Sequence, residues 1–457
     1  MIRSAFATLL FVVLSLQFTA AADGAWKAGV AKTIITPDTY MAMSGYGGRD
    51  NPAEGKLTDL WAKAAALEDA NGHRGVIITL DLVGIDRTLS QSICAALQEK
   101  YELDRSQIAI CTSHTHTGPV VGMNLGPLHY LIQTDEQRTL IDAYAVTLQA
   151  KIVAVVGEAL ADLQPSRLSW GTGHATFAVN RRENKPYDKA PEWRTAGTLK
   201  GPIDHDVPVL AIHSEAGELR GVVFGYACHS TTLSGMQWSG DYAGYTQIEL
   251  EALHPGCVAM FWAGCGADQN PLPRSTVQLA EHYGRRLADA VDSVLLTTAL
   301  LPLSDTLATS YAEIDLPLGE LPTKAQLEAD TNSTNRYTVA RAKMLLEQLA
   351  SGTPLSPTYP YPVQTWQIGS DVQFVTLGGE VVVDYAIRLK AELRGTKTWV
   401  AGYTNDVMAY IPSRRVLAEG GYEGRDAMVY YGLPTAWAPE VENAIVGEVH
   451  KHLSPKQ

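Results

Sequence analysis

The sequence predicts an α/β fold in which mixed β-sheets are flanked by helices, built as one domain. Three observations carry that reading. Short runs rich in Val, Ile and aromatic residues alternate with longer stretches of helical periodicity along nearly the whole chain. No internal repeat interrupts the order. The weakest place for a boundary, Ser351 to Pro362, is rich in Pro, Ser and Tyr, but strands and helices of similar composition resume at once, so it reads as a surface loop.

Residues 1–22 stand apart from this pattern. Met1-Ile2-Arg3, an apolar stretch from Ala5 to Leu16 and the small residues Ala20-Ala21-Ala22 before Asp23 have the layout of a secretory signal peptide, cleaved near Ala22. Its apolar stretch of about 14 residues is short for a membrane span. No later segment reaches about 18 uninterrupted apolar residues, so no transmembrane span is expected. The reading is a secreted or periplasmic protein whose domain occupies residues 23–457.

Within that domain Gly75 to Asp81 reads as a strand, Leu89 to Tyr101 as a helix and Ser106 to Ile110 as a short buried strand bounded by Asp104-Arg105. Glu136 to Leu163, rich in Ala, Leu and Val, predicts a long helix. Strands follow over Arg167 to Ala178, Val207 to His213 and Arg220 to Cys228. Asp241 to Leu253 is helical with Asp241 as N-cap, and Val258 to Trp262 is a buried strand. Ala280 to Leu296 is a helix, Ala308 to Leu316 alternates like a strand, and Thr323 to Leu349 predicts one long polar-faced helix. Trp366 to Leu377 predicts a strand pair turning at Gly369-Ser370-Asp371. Glu380 to Leu393 is predicted helical, Thr398 to Gly402 a strand and Pro439 to Leu453 the last helix.

With 457 residues, 46% of them hydrophobic, the chain is long enough for a large core. Its formal net charge of −13, with no basic run, argues against a nucleic-acid partner. The five cysteines do not form a disulfide framework: Cys257 and Cys265 bracket an extended strand and lie beyond bridging reach. Cys111 and Cys228 each adjoin a histidine motif, and their proximity in space stays open.

The chemistry gathers at the ends of apolar runs. In Ser113-His114-Thr115-His116-Thr117-Gly118-Pro119 two histidines lie where a core strand opens into a loop. Residues i and i+2 of a strand point the same way, so both imidazoles are expected to face one pocket. Neutral imidazole is a common metal ligand and general base; two polar loop residues capping a strand end is the other reading of the pattern alone. A second strand delivers His229 into Ser230-Thr231-Thr232. Gly378-Gly379 place Glu380 at the predicted start of a helix, where an anion is favoured and first-turn charge pairing alone is also a sufficient reason. Polar clusters recur at Asn180-Arg181-Arg182 and from Asn405 to Pro412. Two histidines and a carboxylate are a common catalytic zinc set with a place left for water.

These segments, in this order, resemble the catalytic domain of the neutral/alkaline ceramidase family. The likeness runs from about Lys27 to Gly432: Ala28 to Pro37, Ser44-Gly45-Tyr46-Gly47, Ser113 to Pro119, Asn180-Arg181, Ser239 to Tyr245, Tyr410-Ile411 and Tyr422-Glu423-Gly424 all resemble family motifs. The resemblance implies a secreted amidohydrolase with one Zn2+ per chain, cleaving the N-acyl amide of ceramide or a related lipid by a zinc-activated water. It implies His114, His229, Glu380 and Tyr410 as zinc ligands and His116 as general base. It implies Arg181 and Tyr422 as donors to the oxyanion, although the adjacent Arg182 leaves the choice of arginine open.

The departures from the family pattern bear on substrate. Asn270 stands where the family has a serine, which suits attack by water over attack by a side chain. Arg414 and Arg415 replace an acidic pair near the expected entrance, as solvated surface charges or as a preference for an anionic substrate. The histidine the family carries near Leu57 to Trp61 is absent. The family continues into an immunoglobulin-like C-terminal domain, which a chain ending at Gln457 is expected to lack. Two alternatives therefore stand: a zinc hydrolase of the same fold acting on esters or N-acylated sugars, and a non-catalytic glycan- or lipid-binding module.

Overall fold

The computed structural model describes residues 26–296, 300–393 and 397–454. The predicted signal peptide, residues 1–22, lies outside them. The centre is a nine-stranded mixed sheet in the order Val258–Ala263, Leu219–Tyr226, Asp206–Ser214, Gln164–His174, Trp26–Ile34, Trp61–Glu68, Arg74–Leu80 and Ile108–Thr112, with Leu301–Pro302 paired to Gln164–His174. Its middle strands are antiparallel, whereas each end closes with a parallel pair. The ends hold nearly continuous apolar runs, as strands buried on both faces require. The sheet curls until the Val258–Ala263 strand lies against the Ile108–Thr112 strand.

A second sheet has the order Leu307–Pro317, Thr358–Ile368, Val372–Leu377 and Lys397–Ala401, its last pair parallel. It joins the first at the isolated bridges Cys111 to Thr404 and Gly264 to Ala401. Trp262, Trp366, Phe374 and Trp399, from both sheets, share one buried apolar cluster. Each such ring removes about 150–250 Å² from water, so this junction is a major source of cohesion.

The helix Asp135–Ala161 is capped by Thr134, whose side chain accepts from the Gln137 amide. It holds a window of mean hydropathy 1.5, long and apolar enough by composition to cross a membrane, though the sequence shows no uninterrupted apolar run of that length. Here Ile141, Leu148, Ile152, Val155 and Val156 pack into a core cluster with the first sheet.

Several expectations change. The helix expected over Thr323 to Leu349 is two helices, Lys324–Asp330 and Arg336–Ala350, because Asn335 starts a new one by capping the amides of Tyr337 and Thr338. Asp241 does not cap its helix. Gly240 holds that position, and the buried Asp241 carboxylate instead accepts from the Leu233 amide at 2.7 Å. The expected surface loop Ser351 to Pro362 is loop only at first, since the strand Thr358–Ile368 already includes Pro362. The strand expected over Arg167 to Ala178 ends at His174, and a separate short strand, Ala178–Asn180, follows. All five cysteines are buried and unbridged, Cys111 and Cys228 included.

Candidate metal centre

Four strands, each a member of a parallel pair, end at one buried pocket. Ile108–Thr112 leads to His114 and His116, Leu219–Tyr226 to His229, Val372–Leu377 to Glu380, and Lys397–Ala401 to the loop ending at Tyr410. Crevices outside the carboxyl ends of parallel strands are the usual ligand sites of α/β proteins.

His114 and His116 do face one pocket, but not as strand neighbours. The strand stops at Thr112, and His114 has φ +57°, a left-handed conformation that is unfavourable for a residue with a Cβ. Its ring is held by Val83 O, 2.6 Å from Nδ1, and lies 4.4 Å from the Tyr403 ring. A carbonyl only accepts, so Nδ1 carries the proton and Nε2 presents a lone pair to the pocket. His229 repeats the arrangement with Nδ1 2.7 Å from Gly266 O. His116 Nε2 sits 3.1 Å from His114 Nε2, while its Nδ1 has no partner among the described residues. Gly45 lies against the His116 ring: a Cβ there would come within 2.4 Å of Cγ, and the glycine has φ +95°. The Gly45 amide donates to His129 Nε2 at 2.9 Å.

Glu380 is not at a helix start. Val381, Val382 and Val383 follow it, β-branched residues that resist helix, and the helix begins at Asp384. Glu380–Val381 instead pairs in parallel with Tyr410–Ile411, with Glu380 directly opposite Tyr410. Gly379 permits this at φ +72°, where a Cβ would meet Ala409 O at 2.6 Å. Glu380 Oε2 lies 3.2 Å from His114 Nε2 and 3.1 Å from His229 Nε2. The Tyr410 hydroxyl lies 3.4 Å from His229 Nε2. Thus all four expected ligands meet at one point.

Arg181 rather than Arg182 reaches that point. Its Nη2 donates to the Tyr410 hydroxyl at 3.0 Å and its Nη1 to Asn270 Oδ1 at 3.4 Å. Arg182 turns away to Glu423 and Glu419. Tyr422 stands at the outer side, 45% exposed, its ring 5.3 Å from that of Tyr410. Arg415 is neutralised by Asp384 and Glu419, and Arg414 lines a separate cleft.

The electrostatics ask for a cation. Burial, reinforced by Arg181, lowers the His229 pKa to about 4, so its imidazole is neutral at pH 7. Burial also pushes His116 well below the usual histidine value, with His114 and His229 adding to the effect. A carboxylate oxygen faces two ring nitrogens whose protons are committed elsewhere, and Glu380 Oε2 has no hydrogen-bond donor among the described residues. Lone pairs converging in a buried site repel unless a metal ion joins them. Nitrogens of His114, His116 and His229 lie within 4.8 Å of one another, a spacing that accommodates such an ion.

Three contacts here were not foreseen from the sequence. The Tyr431 hydroxyl donates to Glu380 Oε1. Glu423 accepts from Arg181 Nε at 2.7 Å. Trp437 Nε1 donates to Tyr410 O at 2.8 Å. Glu423 lies within the quoted motif Tyr422-Glu423-Gly424, but nothing in its spacing announced the contact.

The family model for the N-terminal domain of neutral/alkaline non-lysosomal ceramidases matches residues 26–260. The chain belongs to this family. Neutral ceramidase of Pseudomonas aeruginosa is 30% identical over 260 residues, which are 55% of this chain and 38% of that protein, so the match spans well under two thirds of the relative. The crystal structure of that ceramidase superposes with a TM-score of 0.72 at 22% identity, covering 95% of this chain and 76% of the other. A ceramidase complexed with C2 gives the same score at 19% identity, covering 95% and 77%. These structures establish that the chain has the neutral ceramidase fold. The matched segment holds His114, His116, Arg181 and His229, while Glu380, Tyr410 and Tyr422 lie beyond it.

Proposed function

We propose that this chain is a secreted zinc-dependent amidohydrolase that cleaves the N-acyl amide bond of ceramide or a related N-acyl lipid. The observation that carries the reading is the meeting of Glu380 Oε2 with the Nε2 atoms of His114 and His229. His114, His229, Glu380 and Tyr410 would hold the zinc, which supplies a Lewis acid that activates water at neutral pH. Zinc-bound tyrosine is uncommon: burial and Glu380 push the Tyr410 hydroxyl well above its usual value, Arg181 beside it opposes that shift, and a bound cation would favour the phenolate such a ligand needs.

His116 takes the general-base role. The two proposed histidine ligands have Nδ1 fixed by carbonyls, the support that ligating histidines ordinarily have. His116 has no such partner, and burial keeps it neutral and able to accept a proton. It removes the proton of the attacking water and delivers it to the leaving amine. Arg181 and Tyr422 donate to the oxygen of the attacked carbonyl as negative charge develops there. Glu423 holds Arg181 to that task, and the charge of Arg181 persists despite burial because Tyr410 and Glu423 lie beside it.

The test is metal content of the purified chain, together with hydrolysis of a fluorescent short-chain ceramide with and without chelator. About one zinc per chain and chelator-sensitive cleavage are expected. Zinc without cleavage of ceramide would overturn the lipid assignment and direct the search to esters and N-acylated sugars. Absence of metal would overturn the mechanism.

A further inference from the structure

Behind the wall that carries Tyr410 and Tyr422 lies a second opening, a cleft of about 470 Å³. Leu417, Trp437 and Pro439 give it an apolar lining, and Arg414, Arg425 and Glu320 are its charged residues. Leu417 and Trp437 are 5% and 3% exposed, so they form a fixed floor, whereas the two arginines stand in solvent.

The chain has 49 acidic residues against 36 Lys and Arg, and the guanidinia of Arg181, Arg182, Arg220, Arg388 and Arg415 are all paired with carboxylates. Among the described residues no carboxylate lies in ion-pair contact with Arg414 or Arg425. Two unpaired guanidinia above a Trp and Leu floor match a ligand with an anionic head and an apolar tail. The planar fork of arginine fits a carboxylate in two-point contact, and the floor removes alkyl surface from water. With Glu320 included, the three charges sum to +1, which suits a monoanion better than a phosphate dianion.

We propose that this cleft is a second binding site, specific for an alkyl carboxylate and coupled to the metal pocket. Two links supply the coupling. The Trp437 indole that floors the cleft donates to the main-chain oxygen of Tyr410 at 2.8 Å. Arg425 belongs to the π-helical turn Tyr422–Asp426, which also carries Tyr422 and Glu423 on the metal side. An occupant therefore touches the supports of Tyr410 and of Arg181 without entering the pocket. The acid released by the hydrolysis proposed above has this chemistry, but the binding site stands or falls independently of that reaction.

The test is titration of the full chain with sodium decanoate by calorimetry and tryptophan fluorescence, before and after chelator treatment. Binding is expected in both states, with affinity reduced about tenfold or more in Arg414→Ala/Arg425→Ala. Acetate, which lacks the tail, and decyltrimethylammonium, which reverses the head charge, are expected to bind far more weakly. Coupling predicts that decanoate changes ceramide turnover or metal affinity in wild type, and that the double variant loses this response while keeping its basal activity. Unchanged decanoate affinity in the double variant, or equal binding of the cationic probe, would overturn the site. Loss of binding on chelation would assign the decanoate to the metal pocket instead. Binding without any effect on turnover or metal affinity would overturn the coupling.

Discussion

The two sides of the metal pocket are built by different means. On the histidine side, His114 and His229 leave the curled nine-stranded sheet and are oriented by main-chain carbonyls, Val83 O and Gly266 O. On the carboxylate side, Glu380 and Tyr410 face each other across a two-residue parallel bridge and are oriented largely by other side chains: Tyr431, Arg181 and, through it, Glu423. A carbonyl cannot be deleted by substitution, but a side-chain support can. The histidine side should therefore fail only when a histidine is replaced, whereas the carboxylate side can be weakened in steps.

The largest expected effect is on the histidine side. His229→Ala should remove stoichiometric zinc and lower turnover by about a thousandfold or more, read by metal analysis and by kcat. Retention of zinc by this variant would mean that the carboxylate side suffices alone and would end the comparison. Next, Tyr422→Phe should keep the metal and lower kcat by about 10²–10³, with little change in KM, because it removes a donor used in the transition state. Full activity in that variant would reject the role.

A smaller, graded loss is expected from the supports. Tyr431→Phe frees Glu380 Oε1 and should weaken zinc affinity about 10–100-fold, measured by competition with a chelator. Unchanged affinity would show that the strand pairing holds Glu380 unaided.

The smallest effects separate the two sides by pH. Burial, with Arg49 adding to it, lowers His129 from 6.5 to about 3, so the stability it contributes is present above pH 6.5 and is lost as pH falls toward 3. Burial raises Asp406 from 3.8 to about 7, against the opposing hydrogen bond from Tyr359, so its contribution is present below pH 3.8 and is lost as pH rises through 7. Melting temperature against pH should lose part of its acid limb in His129→Gln and part of its neutral limb in Asp406→Asn. Identical curves for wild type and both variants would show that neither group titrates differently on folding.

Much of this arrangement was legible in the sequence, because most helices and strands obey local rules. His114, His116, His229 and Glu380 announced themselves at the ends of apolar runs, and family motifs supplied Arg181, Tyr410 and Tyr422. What stayed hidden depends on long-range geometry. No local pattern says that a sheet curls until its two end strands touch. Helical periodicity from Thr323 to Leu349 masked the capping signal at Asn335, and the Gly-Gly-Glu start outweighed the three valines that keep Glu380 extended. Tyr431 and Trp437 act on residues 51 and 27 positions away, a relation that spacing does not encode.

The pairing of Glu380 with Tyr410 has a consequence for redesign. Because the main chain sets the separation of the two positions, their side chains are payload on a fixed chassis. Histidine or cysteine could be installed at either position without retuning a loop, which would turn this corner of the fold into a bench for comparing donor sets on a constant backbone.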